Sequence, residues 1–374
     1  LGCLLCEDAW DGDYAVSPLR ILADKGCDLF VTISCSPFTM NKNHKRTRLF
    51  STAAAECKRP LIYVNTVGLQ DNGKTLFTFD GDSCIHDGFR NQVGGLAPFQ
   101  EGVIAGAIPL NGKAFGAPVA LKEDDIGVLH NAVIYGTRRF LERNGITRVV
   151  IGVSGGIDSS VAAGLYAEIL NPGDLLLVNM PSRFNADLTK RLARDVAARL
   201  GALYTEVPIE ESVQFARKQI DGLVVADPAG KIRQRLTLTD SQMENVQARE
   251  RTARILASLA SAFGGVFTCN ANKSEITVGY STFYGDLGGF LANLADLWKG
   301  EVYALGRYLN ETVYRREVIP QACFDVIPSA ELSPAQDVNK GLGDPLIYPY
   351  HDCLFRAWVE WWNRVTPQEI LEWY

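Results

Sequence analysis

The stretch Ser154-Gly155-Gly156-Ile157-Asp158-Ser159-Ser160 brings two glycines, three hydroxyls and a carboxylate into one turn. It follows the apolar run Val149-Val150-Ile151-Gly152-Val153 and precedes residues of helical character. Glycines let a backbone approach an anion closely. The free N–H groups of a helix's first turn point at the same spot, where the helix dipole favours negative charge. The hydroxyls of Ser154, Ser159 and Ser160 add donors. Asp158 is a poor direct ligand for phosphate, so its natural task is to hold Mg2+ against phosphate oxygens. The plain alternative is a strand–helix turn capped by Ser and Asp. Neither the Gly-Lys-Ser/Thr of a P-loop nor the G-x-G-x-x-G of a dinucleotide fold occurs here, so the phosphate site is of another kind.

Five further groups of residues follow in order: Asn245-Val246-Gln247-Ala248-Arg249-Glu250-Arg251, Asn272-Lys273-Ser274-Glu275, Val278-Gly279-Tyr280-Ser281-Thr282-Phe283-Tyr284-Gly285-Asp286, Leu297-Trp298-Lys299 and Pro328-Ser329-Ala330-Glu331-Leu332. Taken singly, each cation reads as a solvated helix charge and each carboxylate as a cap. Near the start, Cys6 ends an apolar run in Leu5-Cys6-Glu7-Asp8-Ala9-Trp10. A Cys at a strand-to-turn junction can be held beside backbone donors, which suits a thiolate nucleophile, and a buried structural Cys is the alternative.

The loop resembles the pyrophosphate loop of the N-type ATP pyrophosphatases, which adenylate a substrate and release pyrophosphate. The ordered set N-x-Q-A-R, N-K-S-E, V-G-Y-S-T-x-Y-G-D, K and P-S-A-E-L, over about residues 125–345, is similar to the NAD+ synthetase family. That resemblance implies ATP-dependent amidation of nicotinic acid adenine dinucleotide through an acyl-adenylate. It implies that the loop residues Ser154, Gly155, Gly156, Asp158, Ser159 and Ser160 hold ATP, with Arg251, Lys299 and Ser329 on its phosphates and Arg249 a second candidate there. Asp158 and Glu275 would hold Mg2+. Asp286 and Lys299 would serve the chemistry, Asp286 near the acyl-adenylate where ammonia attacks. Ala271 departs from the pattern, where many members have Gly.

The front segment supplies Ile33-Ser34-Cys35-Ser36-Pro37-Phe38, Tyr63-Val64-Asn65-Thr66-Val67-Gly68 and Phe79-Asp80-Gly81-Asp82-Ser83 after Cys6. In this order they resemble the C-terminal part of a nitrilase-type glutaminase domain, which glutamine-dependent NAD+ synthetases carry before the synthetase. The resemblance implies that Cys6 attacks the glutamine amide and releases ammonia. The triad of that family places a Glu and a Lys well before the Cys, and here residues 1–5 precede Cys6. The expectation is therefore an incomplete chain with little glutaminase activity of its own. A basic Lys-Arg segment that usually follows the region matching 358–374 is likewise not in the sequence. Two rivals stay open. A GMP synthetase would pair the loop with a Cys–His glutaminase, but the front segment offers His44 and His86 in no catalytic context. A remnant that binds ATP without turnover is the other. A thiolating relative would need a partner for Cys269, which stands alone in a strand.

Elements that must carry these residues can be read from pattern. Residues 1–5, 29–33 and 61–64 read as buried strands, 18–25 and 47–58 as helices, and Asp71-Asn72-Gly73-Lys74 as a hairpin turn. Residues 94–118, rich in Gly and Pro, read as edge strands or a linker. From about residue 125 strands alternate with helices: helix 126–144, strand 148–153, helix 159–170, strand 175–180, helix 186–200 and strand 203–207. A long helix over 241–263 then places Val246, Leu256, Leu259 and Phe263 on one face and ends at Gly264, before a strand at 266–269. The expected fold class is α/β. A partial nitrilase-like αββα sandwich over 1–105 is joined by a linker, 106–124, to a Rossmann-like parallel-sheet adenine nucleotide alpha hydrolase domain over 125–374.

Composition agrees. The 374 residues carry 37 Lys and Arg against 43 Asp and Glu, a net charge of −6, which argues against a general nucleic-acid surface. No stretch is long and apolar enough for a membrane span. The nine cysteines are odd in number and scattered, so free thiols in a reducing cytoplasm are expected. Cys3 and Cys6 form a C-x-x-C pair with no second pair at zinc spacing. The resemblance adds nicotinic acid adenine dinucleotide and glutamine or ammonia as partners, and a homo-oligomer formed through the synthetase domain.

Overall fold

Two sets of apolar, β-branched runs nucleate two separate sheets. In the computed structural model, which describes residues 1–73, 75–110, 113–120, 125–360 and 366–373, the chain divides into compact units Leu1–Arg143 and Asn144–Tyr374. Lys74 of the expected turn, residues 111–112 and 121–124 of the expected linker, and 361–365 and 374 of the C-terminal region lie outside the described residues.

In the first unit, β1 (Gly2–Leu5), β2 (Phe30–Ser34) and β3 (Leu61–Asn65) pair in parallel, and β6 (Cys84–His86) and β7 (Gln92–Gly95) continue the sheet antiparallel in the order β1-β2-β3-β6-β7. The hairpin β4 (Val67–Asp71) and β5 (Leu76–Asp80) flanks the expected turn and forms its own ladder. Helix α1 (Pro18–Asp24) starts as its sequence dictates: Pro18 fixes the first turn and Ser17 Oγ accepts from Arg20 N–H at 3.2 Å. Helix α2 (Lys42–Cys57) begins five residues before its expected start and carries Phe50 and Ala54 into a core with Leu4, Phe30, Leu61 and Tyr63. Helix α3 (Ile126–Arg143) groups with this unit.

In the second unit the strands β8 (Val149–Gly152), β9 (Leu175–Asn179), β10 (Leu203–Glu206) and β13 (Val266–Phe267) are all parallel, in the order β10-β9-β8-β13. The chain runs from β8 outward to one side and returns to the other. That reversal opens a crevice beyond the carboxyl end of β8, where α/β folds bind ligands. Helix α4 (Ile157–Ile169) springs from this point. It is buried on nearly every face through Val161, Ala162, Leu165 and Tyr166, so it reads as continuous apolar sequence. Helices α5 (Asp187–Leu200) and α6 (Glu210–Ile220) follow. A small hairpin, β11 (Val224–Ala226) and β12 (Arg233–Arg235), follows α6 and was not apparent in the sequence pattern.

The long helix is three segments: α7 (Asp240–Arg249), a π-helical stretch Glu250–Leu256 and α8 (Ala257–Phe263), ended by Gly264 at φ +72°. Leu256 is buried with Val150 and Met180, and Val246, Leu259 and Phe263 pack on the same cluster. Helices α9 (Lys273–Val278), α10 (Lys299–Tyr308), α11 (Gln321–Asp325), α12 (Tyr348–Val359) and α13 (Pro367–Trp373) complete the unit. Among the described residues no helix is long and apolar enough to cross a membrane, and all nine cysteines are free thiols.

Candidate active site

Gly155 sets the shape of the loop. Its φ of +89° suits glycine, and a Cβ there would lie 2.1 Å from the carbonyl oxygen of Thr189 in α5. The loop can thus fold flat against α5 and turn the first N–H groups of α4 toward the crevice. Ser154 Oγ, 3.2 Å from Ser159 Oγ, also accepts from Gly156 N–H at 3.2 Å. Ser160 Oγ donates back to the Gly156 carbonyl at 2.8 Å.

Beyond the loop lies a cavity of about 470 Å3 lined by Ser154, Gly156, Asp158, Ser159, Arg251, Glu275, Asp286, Lys299 and Ser329 among others. Residues from six separate stretches of sequence therefore meet in one place. Three expected residues do not line it. Gly155 serves the backbone path. Ser160 is turned into the helix. Arg249 is exposed, its Nε donating to the Phe283 carbonyl at 3.2 Å. Arg249 and Arg251 stand two positions apart on a helical segment and cannot share a face.

The charged centre is a buried lysine between two carboxylates. Lys299 Nζ is 2.6 Å from Asp158 Oδ2 and 3.3 Å from Glu275 Oε1. Burial opposes the Lys299 charge, but the Asp158 and Glu275 carboxylates outweigh it and hold the ammonium above the ordinary lysine value. Burial first, and then the Asp158 charge, push the Glu275 carboxyl up to about 7. Asp158 is oriented from its other side by Asn272 Nδ2 at 2.8 Å, while Asn272 Oδ1 caps α9 by accepting from Glu275 N–H at 3.0 Å. One asparagine thus sets both carboxylates.

The cationic wall is Arg251, in the π-helical stretch. Its Nε donates to the Met180 carbonyl at 3.0 Å and one terminal nitrogen to Asn185 Oδ1 at 3.3 Å. Burial pushes it down to about 10, still cationic at neutral pH. Behind it the buried Glu331 accepts from Asn185 Nδ2 at 3.1 Å, Ala186 N–H at 2.9 Å and Thr189 Oγ1 at 2.9 Å. Ser329 Oγ donates to the Gln336 carbonyl at 2.8 Å. Asp286 accepts from Thr282 N–H at 2.8 Å, and burial raises its carboxyl despite that donor.

The family model described as NAD synthase matches residues 129–372. The chain belongs to the NAD synthase family. Curated glutamine-dependent NAD(+) synthetases of Synechocystis sp. and Rhodobacter capsulatus are 33% and 34% identical to it, aligned over 99% and 96% of this chain. The chain spans 64% and 63% of the length of those two relatives. A solved glutamine-dependent NAD+ synthetase from Acinetobacter baumannii, in complex with adenosine diphosphate, matches with a TM-score of 0.73 at 25% identity over 99% of this chain and 63% of its own. The mixed α/β fold with parallel sheets agrees with that neighbour.

In this NAD synthase family chain, several site-forming residues carried no signal of their own in the sequence. Glu331 was visible inside P-S-A-E-L and Asn272 inside N-K-S-E, but without a task. Asp344, Tyr348 and Asp352 lie outside every motif. In the first unit Cys6 directly follows β1, at φ +40°, in a short turn where Asp8 Oδ2 accepts from Leu5 N–H at 2.9 Å. It is partly exposed at a strand-to-turn junction. The Lys42 ammonium, donating to the Pro37 carbonyl at 3.1 Å, is lowered by burial and by Arg46, with Asp80, Cys6 and Glu7 opposing.

Among the described residues no group of three or more His, Cys, Asp or Glu side chains is arranged to hold a metal ion. Mg2+ commonly takes one or two carboxylates and fills its octahedron with phosphate oxygens and water. The converging Asp158 and Glu275 fit a metal that arrives with phosphates.

Proposed function

We propose that this chain converts nicotinic acid adenine dinucleotide to NAD+ at the expense of ATP, with ammonia that glutamine hydrolysis at Cys6 supplies in the complete protein. The observation that carries the reading is the meeting of Asp158, Glu275 and Lys299 beside the glycine-rich loop, inside a cavity also lined by Arg251, Ser329 and Asp286. The adenosine diphosphate bound to the Acinetobacter baumannii relative supports ATP as the nucleotide here.

The nicotinate carboxylate oxygen attacks the α-phosphorus of ATP, and the bond to the β-phosphate oxygen breaks. Charge builds on the departing pyrophosphate. The N–H groups opening α4, the Ser154 hydroxyl, Arg251 and Lys299 would meet it, with Ser329 joining them by turning its hydroxyl from the Gln336 carbonyl, and preorganised donors of this kind are where such sites gain most of their rate. Asp158 and Glu275 would hold Mg2+, which when bound neutralises phosphate charge. Ammonia then attacks the acyl carbon, the bond to AMP breaks, and the nitrogen sheds a proton. Asp286, with its carboxyl raised by burial, is the acceptor at hand. At Cys6, the sulfur bonds to the glutamine amide carbon while the thiol proton passes to the amide nitrogen, the C–N bond breaks and ammonia leaves, and water then releases glutamate from the thioester and restores the thiol.

The test is incubation with ATP, Mg2+, nicotinic acid adenine dinucleotide and ammonium chloride, with products separated by chromatography. NAD+, AMP and pyrophosphate are expected in equal amounts. A folded sample that yields no NAD+, or that releases pyrophosphate only with xanthosine monophosphate, sinks the reading.

A further inference from the structure

Helix α10 begins at Lys299, yet its N-cap residue is Trp298, which has no side-chain oxygen to satisfy the opening N–H groups. The cap comes from elsewhere. Asp352, buried on α12, accepts from Gly300 N–H through Oδ2 at 3.2 Å. Its Oδ1 accepts from Ser274 Oγ at 2.5 Å. Ser274 Oγ in turn accepts from Lys299 N–H at 2.9 Å. A carboxylate at this end also matches the positive pole of α10.

Ser274 sits in the first turn of α9, beside Glu275. Asp352 therefore ties the start of α9 to the start of α10. The side chains that meet at 3.3 Å in the cavity, Glu275 and Lys299, each stand next to or within that tie. One turn earlier on α12, on the same face, Tyr348 presents its ring 4.7 Å from Lys299 Nζ. Its hydroxyl lies 2.8 Å from Asp344 Oδ2 and 3.4 Å from Glu275 Oε1. Neither Tyr348 nor Asp352 lines the cavity.

The geometry points to Asp352, assisted by Tyr348, as a positioning residue that holds Lys299 and Glu275 at the separation needed to receive Mg·ATP, which makes helix α12 a working part of the site. This rests on the reading of Lys299 and Glu275 as the groups that meet ATP phosphates and their metal. Supporting partners of this kind commonly change affinity or activity by about 10- to 100-fold when removed.

Calorimetric titration with Mg·ATP of the whole chain tests it, using Asp352→Asn, Ser274→Ala, Lys299→Met and the double variants. Cys353→Ser, an exposed position on the same helix, is the control. Asp352→Asn is expected to bind Mg·ATP about tenfold more weakly, with Cys353→Ser within about twofold of the parent. Because Asp352 acts by holding Lys299 against Glu275, a contact that Lys299→Met itself removes, Asp352→Asn/Lys299→Met should bind no more than about twofold more weakly than Lys299→Met alone. A purely structural role would instead give the product of the two losses. Should Asp352→Asn lose its cooperative melt, Ser274→Ala carries the same cycle with Lys299→Met. Parent-like binding by the single variants, or multiplicative losses in the double, overturns the inference. A parent chain that binds Mg·ATP but makes no NAD+ overturns the proposed reaction alone, and the cycle still decides the role of Asp352.

Discussion

Glu275 should make nucleotide binding depend on pH. Its carboxyl stands at about 7 in the fold, against an ordinary 4.5, because it is buried beside Asp158. Below that value it carries a proton and is a poor partner for a cation. Affinity for Mg·ATP should therefore rise with pH through about 7 and level off above it, and Glu275→Gln should bind weakly and without that rise. Stability of the nucleotide-free protein runs the other way. The fold binds this proton more tightly than the unfolded chain, so the contribution of Glu275 is full below 4.5 and lost as pH rises through about 7. Calorimetry across about pH 5.5 to 8.5 checks the first claim, and a flat affinity would refute it. The residue types that make this centre were legible because Asp158, Glu275 and Lys299 each sit in a short local motif. Arg249 beside Arg251 was a choice that helical phase decides, and phase is uncertain where the helix widens. Asp352 could not be read at all: its work is done on Gly300, 52 positions away, and nothing local distinguishes it from a surface carboxylate.

At the scale of elements, the strand–loop–helix from β8 to α4 carries the site, and Gly155 is its hinge point. Gly155→Ala would place a methyl group 2.1 Å from a backbone carbonyl of α5 at a φ of +89°, so neither the loop nor α5 can stay where it is. A left-handed backbone costs a non-glycine residue about 1–2 kcal/mol before any clash is counted, so a loss of at least about 2 kcal/mol is expected in denaturant titration. ATP binding should fall with it, and a variant of parent stability and affinity would show that the close approach does no work. Buried strands such as 149–152 and the alternating strands and helices after it were readable because burial on both faces leaves a continuous apolar run. The π-helical stretch Glu250–Leu256 was not. Its composition is that of an ordinary helix, and the partners it meets there are distant in sequence: Leu256 shares a cluster with Val150 and Met180, and Arg251 is anchored to the Met180 carbonyl. The hairpin of β11 and β12 was also missed, since its strands are only three residues each and exposed throughout.

For the whole molecule, the two units have cores drawn from different residues. Phe50, Phe30, Leu61 and Tyr63 build one, and Val150, Met180, Ile255 and Leu256 build part of the other. Every residue lining the cavity beside the loop belongs to Asn144–Tyr374, whereas Cys6 belongs to Leu1–Arg143. Chemistry that starts from free ammonia should therefore not need the thiol. Cys6→Ala is expected to leave ammonium-driven NAD+ formation within about twofold of the parent and to remove any that glutamine supports. Phe50→Ala makes the same point through stability. Deleting a ring packed 5.3 Å from Tyr63 and 5.7 Å from Trp10 should cost about 3–5 kcal/mol in the first unit. At temperatures where that unit stays folded, the ammonium reaction should persist, while Leu256→Ala, at a similar buried depth beside β8, should lower it together with ATP binding. A tenfold fall in the ammonium-driven rate of Cys6→Ala, measured with the same ATP and dinucleotide, would mean that the thiol takes part in adenylation or amide formation, and the division of labour between the units would have to be abandoned.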